Sequence, residues 1–345
     1  MNVVITRLVD QLYRSEYGRL VATLVRQFGK DQLELAEDAV QEAFIKALEH
    51  WETKGIPDHP QAWLYTVVHN NALKRLQKEN RYATSNIWLS TNNPQELPPS
   101  EHWFQPKVLQ DNLLGALYLC TGNDLSEKAQ IALILKTLAG FTVTEVAAAL
   151  YLNEDATAKM LVRARQQLRE DKTPFLDPYI LVNEHRTQTV LHAIYLIFNL
   201  GYFDQHTDYL IRKDLCYEAL YLAKLMANLA PACKTDCNAL LSLILLHLSR
   251  LEARFSNDGA LLSLQEQERS RWNRQMMLVG AHYLNRSFSI NPPAPSRFQI
   301  EAAIAFLHTT AKTYAETPWQ QILYLYNLLE TKGNYPSAAL AKAYV

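Results

Sequence analysis

Long apolar runs and cysteines are scarce in this chain of 345 residues, and each scarcity argues against a class of protein. A membrane-spanning helix needs about 18 or more consecutive apolar residues, and no segment provides them. The first segment, MNVVITRLVDQLYRSEYGRL, mixes charges among its apolar positions, so no signal peptide is expected. Four scattered cysteines are too few for a disulfide framework in a chain of this length. We therefore expect a cytoplasmic protein that does not contact a membrane.

Glycine, alternating β-branched residues and an excess of one charge are also scarce. Only 10 glycines are present, few runs alternate Val, Ile or Thr with polar residues, and helical periodicity dominates. This pattern predicts an all-α fold. The formal net charge of −1 means that any binding to nucleic acid must come from local basic patches.

Patterns typical of enzyme active sites are missing as well. The sequence has no metal-site spacing, nucleophile motif or glycine-rich phosphate loop, so no metal, cofactor or catalysis is expected. Cys233 and Cys237 in CKTDC lack a second Cys or His pair, which favours structural or incidental thiols over a zinc site. In the charged segment QEQERSRW, a buried structural ion-pair network is favoured over a catalytic site. The side chains concerned are Glu266, Glu268, Arg269, Arg271 and Trp272.

Two proline-containing breaks divide the chain. The stretch YATSNIWLSTNNPQELPPSEHWFQPK has no sustained period and predicts a linker, and DKTPFLDPY predicts a shorter joint. The segments after the joint are amphipathic helices whose size suits a solenoid-like stack. We predict two small helical domains joined by the linker, plus a larger C-terminal helical domain. The predicted ranges are 1–82, linker 83–107, 108–172 and 175–345.

The segment LAEDAVQEAFIKALEHW carries an acidic row, which we define as Glu34, Asp38 and Glu42 at four-residue spacing. The opposite face of the same predicted helix is apolar. Like charges at this spacing repel, and only Lys46 is placed to offset them within the helix. Two interpretations stay open for this segment taken alone: a solvated outer face, or a surface for a basic partner.

The segment PQAWLYTVVHNNALKRLQKENR predicts a basic helix with an exposed indole and an amide on its polar face. This mixture suits unpaired nucleic acid, because aromatic rings stack on bases while cations neutralise phosphates. Taken alone, the segment favours the alternative of a basic amphipathic helix with Trp63 buried. Its candidate side chains are Trp63, Asn70, Lys74, Arg75, Lys78 and Arg81.

The segment GFTVTEVAAALYLNEDATAKMLVRARQQLRED predicts a helix-turn-helix. Thr142 and Glu145 form a capping box, and Asn153 can cap a second helix. Such a second helix enters the major groove of DNA, and the cations after the turn favour that role. The residues expected to face inward are Thr157, Leu161, Ala164 and Leu168, and those expected to be more exposed are Lys159, Arg163, Arg165, Gln166 and Arg169.

Together these segments resemble a bacterial sigma-70-type factor of the extracytoplasmic-function group. DAVQEAFIKALEHW resembles the region-two helix that binds the β′ clamp helices of RNA polymerase, and AWLYTVVHNNALKRL resembles the helix for promoter melting and minus-ten recognition. TEVAAALYLNEDATAKMLVRAR resembles the region-four helix-turn-helix that recognises the minus-35 element. LHAIYLIFNLGY, GALLSLQEQERSRWN and FQIEAAIAFLH resemble the C-terminal helical extension of one subgroup, which carries its accessory domain on the same chain.

The resemblance implies a role for each candidate side chain. Asn70 is expected to hold a flipped base, Trp63 to brace the strand junction, and the acids to be relieved of their mutual repulsion only when polymerase binds. The implied polymerase-binding residues are Asp38, Gln41 and Glu42; the implied minus-ten and melting residues are Trp63, Asn70, Lys74, Arg75, Lys78 and Arg81; the implied minus-35 residues are Lys159, Arg163 and Arg165.

The sequence therefore predicts a non-enzymatic transcription initiation factor whose partners are core RNA polymerase and promoter DNA. The C-terminal domain is expected to regulate promoter activity within the chain, and its own partner, a protein or a small molecule, stays open. The alternative is a stand-alone helix-turn-helix regulator with a C-terminal sensing domain, which leaves the acidic row without a role.

Overall fold

The computed structural model describes residues 3–82, 105–122, 124–170, 181–203, 212–229, 234–256, 260–289, 294–333 and 342. These ranges contain thirteen α-helices, and their only strand-like pairing is an isolated bridge between Phe255 and Leu261, which confirms the all-α prediction. None of the described helices is long and apolar enough to cross a membrane. The predicted linker, 83–107, lies outside the described residues except for its last three, and so does DKTPFLDPY. The chain divides into two compact units, Met1–Val182 and Asn183–Val345.

Three long helices begin the first unit: α1 (Val3–Phe28), α2 (Leu33–Lys54) and α3 (Pro60–Tyr82). They pack against one another around a shared apolar core. The apolar face of α2 is buried as its spacing predicts, and Trp51 at the end of that face is only 1% exposed. Gly55, with φ +85°, ends the helix in a conformation that side-chain-bearing residues rarely adopt.

Four shorter helices complete the first unit: α4 (Pro106–Leu119), α5 (Glu127–Leu133), α6 (Val143–Leu150) and α7 (Glu154–Glu170). A π-helical turn, Ile134–Leu138, continues α5. Both α4 and this turn lie against α1. Gly18 on α1 permits the approach, because a Cβ atom there would collide with the backbone carbonyl of Leu138. The first three helices and the next four therefore form one packed body.

The second unit contains six helices: α8 (Glu184–Tyr202), α9 (Lys213–Leu229), α10 (Lys234–Leu248), α11 (Arg274–Phe288), α12 (Arg297–Thr310) and α13 (Trp319–Glu330). Helix α10 packs against α8, α9, α11 and α12, which explains why its sequence is apolar on almost every side. Each successive helix pair contacts the next, as a solenoid-like stack requires.

The charged segment QEQERSRW joins helix ends in the second unit. Arg269 donates hydrogen bonds to the carbonyl oxygens of His308 (2.9 Å) and Ala311 (2.5 Å), where α12 ends. Arg271 donates to the carbonyl oxygens of Glu252 (2.7 Å) and Phe255 (3.1 Å). The segment has the structural role that the sequence predicts. The predicted ion pairs are wrong, because Arg269 and Arg271 bind backbone carbonyl oxygens and not carboxylates. Carbonyl oxygens at a helix end have no partner within the helix, so arginines satisfy them instead.

Candidate polymerase and nucleic-acid interface

The acidic row on α2 is bound by cations of the same chain. Arg75 on α3 places Nη1 2.9 Å from Oδ2 of Asp38 and Nη2 3.3 Å from Oε2 of Glu42. Nζ of Lys46 lies 2.6 Å from Oε1 of Glu42. The hydrogen bond from Lys46, followed by the contacts with Arg75, lowers the pKa of Glu42. The expectation that only polymerase relieves the repulsion along the row is therefore wrong, because Arg75 relieves it inside the folded chain.

Arg75 thus lies between the two predicted sites. The sequence assigns it to DNA, whereas in the structure it bridges the two acids assigned to polymerase. All three side chains remain at least 38% exposed. An exposed ion pair of this kind contributes ~0 to 1 kcal/mol, so Arg75 can exchange its carboxylates for phosphates at little cost. Its role in DNA binding stays a prediction, as do those of Asp38, Gln41 and Glu42 in polymerase binding.

Two further acids on α2 pair with the helix-turn-helix. Nη2 of Arg165 lies 2.7 Å from Oε2 of Glu37, and Nη2 of Arg169 lies 2.9 Å from Oε2 of Glu34. Glu37 is only 5% exposed, and this burial raises the pKa of its carboxyl, while Arg165 opposes the rise. Arg165, which the sequence assigns to the minus-35 element, is therefore engaged with α2 in this structure. Its predicted contact with DNA requires that pair to separate.

The predicted DNA-binding side chains of α3 differ in their exposure to solvent. Asn70, Lys74 and Lys78 are exposed, whereas Trp63 is half-buried and packs on the core. The ring of Trp63 stacks on that of His50, with the ring centroids 5.4 Å apart. The predicted exposed indole is therefore only partly available. The side chain of Arg81 lies outside the described residues.

Adjacent asparagines on α3 have separate environments. Asn71 is 4% exposed, accepts a hydrogen bond from Nζ of Lys46 (2.7 Å) and donates one to the carbonyl oxygen of Ala39 (3.3 Å). Asn70 points to the exposed side of the helix. Asn71 therefore fixes α3 to α2, whereas Asn70 lies on the exposed side and its role in base binding stays a prediction. Helical spacing in the sequence predicts that Asn70 and Asn71 lie on different faces of α3, but it does not identify the partners of Asn71.

A buried carboxylate on α1 was missed by the sequence reasoning. Glu16 is 4% exposed and accepts hydrogen bonds from Arg19 (3.1 Å), from Gln61 (3.1 Å) and from the hydroxyl of Tyr65 (3.2 Å). Two of these donors lie in the first turns of α3. Glu16 therefore fixes the start of the helix that carries Asn70. Its position on the buried side of α1 was the available signal.

The helix-turn-helix is formed by α6 and α7. The backbone N–H of Glu145 donates to Oγ1 of Thr142 (3.2 Å), and the N–H of Thr142 donates to Oε2 of Glu145 (2.7 Å), so the predicted capping box is present. Oδ1 of Asn153 accepts from the N–H of Ala156 (2.7 Å), as predicted for the cap of α7. The four predicted inward residues are all buried: Thr157, Leu161, Ala164 and Leu168.

The exposed half of α7 presents Lys159 and Arg163 on its outer face. Both line a depression of about 460 Å³, together with Ser126 at the start of α5. The turn before α7 contains Tyr151, which has φ +54° and is 95% exposed. A tyrosine in this left-handed conformation is strained, and no packing of its ring offsets the cost. The outer face of α7 therefore offers cations at the position where a helix-turn-helix meets DNA.

The three cysteines in the described ranges give no sign of a reactive or metal-binding site. Cys120, Cys216 and Cys237 are buried, and burial raises the pKa of both Cys120 and Cys216 to about 12. A thiol with such a pKa is protonated and unreactive at neutral pH. No group of three or more His, Cys, Asp or Glu side chains that could hold a metal ion occurs among the residues with described positions. Cys233 lies outside them.

Two family models match separate parts of the chain. The model described as Sigma-70 region 2 matches residues 13–82, which run from within α1 to the end of α3. The model described as Family of unknown function (DUF6596) matches residues 186–288, from α8 to the end of α11. The first match covers the acidic row and Asn70, and the second lies within the second unit.

Two curated proteins are similar to the chain. Uncharacterized protein R00370 of Rhizobium meliloti (strain 1021) is 32% identical over 337 residues, which cover 97% of this chain and 78% of that protein. RNA polymerase sigma factor YlaC of Bacillus subtilis (strain 168) is 24% identical over 165 residues, which cover 48% of this chain and 92% of that protein. No solved structure matches the chain at a significant level. The chain thus belongs to the family of the R00370 protein, and its match to sigma-70 region 2 supports a sigma-70-family factor.

Proposed function

We propose that this sigma-70-family factor belongs to the extracytoplasmic-function group, binds core RNA polymerase and directs it to promoters. One observation carries the proposal: residues 13–82, which match region 2, place an exposed acidic row and an exposed Asn70 on adjacent helices. A factor that joins polymerase to melted DNA needs both surfaces close together.

The acidic row on α2 is the proposed surface for polymerase. Asp38 and Gln41 are exposed, Glu42 is partly exposed, and the opposite face of α2 is buried in the core. This arrangement suits the β′ clamp helices if they present a basic face, because complementary charge sets both the register and the rate of association. The pairs with Arg75 would then be exchanged for pairs with polymerase.

The exposed side of α3 is the proposed surface for the melted minus-ten strand. Asn70 would hydrogen-bond a flipped base, while Lys74 and Lys78 neutralise phosphate. Flipping a base costs a few kcal/mol, which polymerase binding and single-strand contacts must offset. The half-buried Trp63 can brace the strand junction with the edge that remains exposed.

The outer face of α7 is the proposed reader of the minus-35 element. Lys159 and Arg163 follow the turn and are exposed, as contacts in the major groove require. Arg165 can join them only after its pair with Glu37 separates. A change of Lys159 to Ala should therefore act on the upstream element alone.

The deciding experiment reverses charge along the acidic row. In the full-length chain, Asp38→Lys combined with Glu42→Lys should abolish binding to core polymerase while leaving duplex DNA binding intact. Glu49→Lys, at an exposed position of the same helix, is the matched control. Circular dichroism checks that both variants fold. Unchanged polymerase binding by the double variant would refute the proposal and favour a stand-alone DNA-binding regulator.

We also propose that the second unit regulates promoter activity within the chain. Its helices bury a core of their own, which a passive tail would not need. The short joint DKTPFLDPY keeps it at a high effective concentration near the first unit. Ending the chain after Lys172 should change promoter output in reconstituted transcription. Equal output and equal polymerase affinity of the two forms would remove this regulatory role.

A further inference from the structure

We propose that the second unit binds a small molecule carrying a phosphate group, through unpaired N–H groups of Arg250, Arg269 and Trp272. All three side chains belong to that unit. The inference concerns binding alone and does not depend on whether the unit regulates transcription. It gives a chemical class to the partner that the sequence leaves open for the C-terminal helices.

Two guanidinium groups flank one buried indole. Trp272 ends the charged segment QEQERSRW and is only 4% exposed. Cζ of Arg269 lies 4.6 Å from the centre of the indole ring, and Cζ of Arg250 lies 5.8 Å from the same point. The segment therefore brings two positive charges to the same aromatic side chain.

Each of these side chains keeps a buried N–H group without a partner. Nε of Arg250, Nη2 of Arg269 and Nε1 of Trp272 form no hydrogen bond with any residue that the structure describes. An arginine stacked on a ring still directs its N–H bonds outward in the guanidinium plane, so the stacking does not satisfy them. A buried donor without a partner destabilises a fold, and in native proteins it marks a bound ion, ligand or water.

The remaining nitrogens of both arginines hold them in place. Nη1 of Arg269 donates to the carbonyl oxygen of His308 at 2.9 Å. Nη2 of Arg250 lies 3.1 Å from Nδ1 of His247, which can accept from it. The free donors are thus fixed before any ligand arrives, which reduces the entropy lost on binding.

No carboxylate neutralises this group of cations. Among the residues with described positions, the ion pairs of the second unit do not include Arg250, Arg254 or Arg269. Burial, and then Arg250, lower the pKa of Arg269, whereas the exposed Glu316 opposes them without forming an ion pair. Uncompensated positive charge in a partly buried place is stabilised by an anion.

Two histidines lie in the same positive field. Burial, followed by Arg250 and Arg254, lowers the pKa of His247 well below its ordinary value. His308 has a pKa of about 4, through burial and then Arg250 and Arg269. Both imidazoles are therefore neutral at pH 7, and the charge comes from the arginines. Nδ1 of His308 is also buried without a partner, so it can donate to an anion in the tautomer that carries its hydrogen there.

Burial and charge together select the ligand. The unpaired atoms are covered, so a nucleic-acid backbone or a protein surface cannot reach them, whereas Arg250, Arg269 and His308 are only half-buried and leave a small molecule a short approach. Two unneutralised arginines match the charge of about −1.5 to −2 that a phosphate monoester carries at pH 7. Its three acceptor oxygens suit several converging donors, and arginine is the side chain best suited to phosphate.

The test observes the indole N–H groups of the full-length chain by nuclear magnetic resonance, with ¹⁵N-labelled tryptophan. Trp272→Phe identifies the signal of Trp272 by its loss. Titration with inorganic phosphate, with chloride keeping the ionic strength constant, should move that signal to a saturating value. Trp51 is the matched control, because its buried Nε1 also lacks a partner among the described residues but lies in the first unit. Its signal should stay in place.

Calorimetric titration with phosphate measures the contribution of each donor. Arg250→Gln should weaken binding about ten-fold, because a charge-assisted contact is lost. Trp272→Phe keeps an aromatic ring, removes the N–H group and should weaken binding several-fold. Arg274→Gln removes the same charge at an exposed position two residues beyond the indole, and its affinity should equal that of the parent. Circular dichroism checks the fold of each variant, and either Arg250→Gln or Trp272→Phe is sufficient for the comparison.

Three results would overturn the proposal. The first is the absence of a saturating shift of the Trp272 signal with phosphate. The second is an equal loss of affinity in Arg250→Gln and Arg274→Gln, which would show unspecific attraction of anions. The third is tighter binding of succinate than of phosphate at the same ionic strength, which would assign the site to a dicarboxylate. None of these measurements involves polymerase or promoter DNA, so their failure leaves the proposed initiation function untouched.

Discussion

Arginines that join separate helices or segments differ between the two units in the atoms that they bind. In the first unit, Arg75, Arg165 and Arg169 bind carboxylates on another helix. In the second unit, Arg254 and Arg269 bind backbone carbonyl oxygens and lie over the rings of Tyr202 and Trp272, at 4.0 Å and 4.6 Å. A carboxylate can be exchanged for a phosphate or another acid, whereas a helix-end carbonyl cannot leave its helix. The pairs of Arg75, Arg165 and Arg169 are therefore suited to exchange with an external partner, and the carbonyl contacts of Arg254 and Arg269 to fixed architecture.

Replacing one arginine in each unit tests this difference. The replacement in the second unit should cause the larger loss in the free energy of unfolding. Arg269→Ala removes two carbonyl contacts and the contact with Trp272, so we expect a loss of about 2 to 4 kcal/mol in the free energy of unfolding. Arg75→Ala removes exposed pairs and should cost at most about 1 kcal/mol. Urea denaturation of both full-length variants measures the two losses. Equal losses would show that the arginine contacts of the two units do not differ in their contribution to stability.

The adjacent Asn70 and Asn71 test the same difference, between a contact that fixes the fold and a side chain available for binding, within one helix. Asn71→Ala removes a buried amide that accepts from Lys46 and donates to the carbonyl oxygen of Ala39, so we expect about 1 to 3 kcal/mol of destabilisation. Asn70→Ala should leave stability unchanged and impair open-complex formation at one promoter position. Thermal unfolding and permanganate footprinting of melted DNA distinguish the two effects. A promoter with unchanged melting and base preference would show that Asn70 does not hold the base.

Acid should affect the second unit through His308. Burial, and then Arg250 and Arg269, lower the pKa of His308 to about 4 from an ordinary value of 6.5. The unfolded chain therefore binds a proton between these pH values while the folded chain does not, so stability falls as pH drops from about 7 toward 4. Urea midpoints at pH 7.5 and pH 5 should differ less in His308→Leu than in the parent. His282→Leu, at an exposed position, is the control; an equal pH response in all three proteins would contradict the assignment.

The smallest expected change concerns the turn of the helix-turn-helix. Tyr151 has φ +54° and is 95% exposed, so Tyr151→Gly relieves backbone strain and loses almost no packing. We expect a gain of about 1 kcal/mol in the free energy of unfolding. The urea midpoint of the full-length protein measures it. A loss of stability would mean that the ring makes a contact that offsets the strain.

Local features were predictable from the sequence because each depends on residues a few positions apart. The buried stripe of α2, the capping box at Thr142 and the inward side of α7 all follow from helical spacing. The partners of the charged side chains were not predictable. Arg75 and Asp38 are 37 positions apart, and Arg165 and Glu37 are 128 apart. Helical spacing shows which face a residue occupies, but tertiary packing decides what lies opposite.

The carboxylate of Glu16 sets the angle at which α3 is held about its own axis. Donors from Gln61 and Tyr65, one turn apart on α3, converge on its two oxygens. Side-chain tips lie roughly 6 Å from a helix axis, so a rotation of about 20° would displace Asn70 by roughly 2 Å. A displacement of that size exceeds the tolerance of a hydrogen bond to a base edge. The orientation of the exposed side of α3, which we propose binds DNA, thus depends on Glu16, a buried acid of α1.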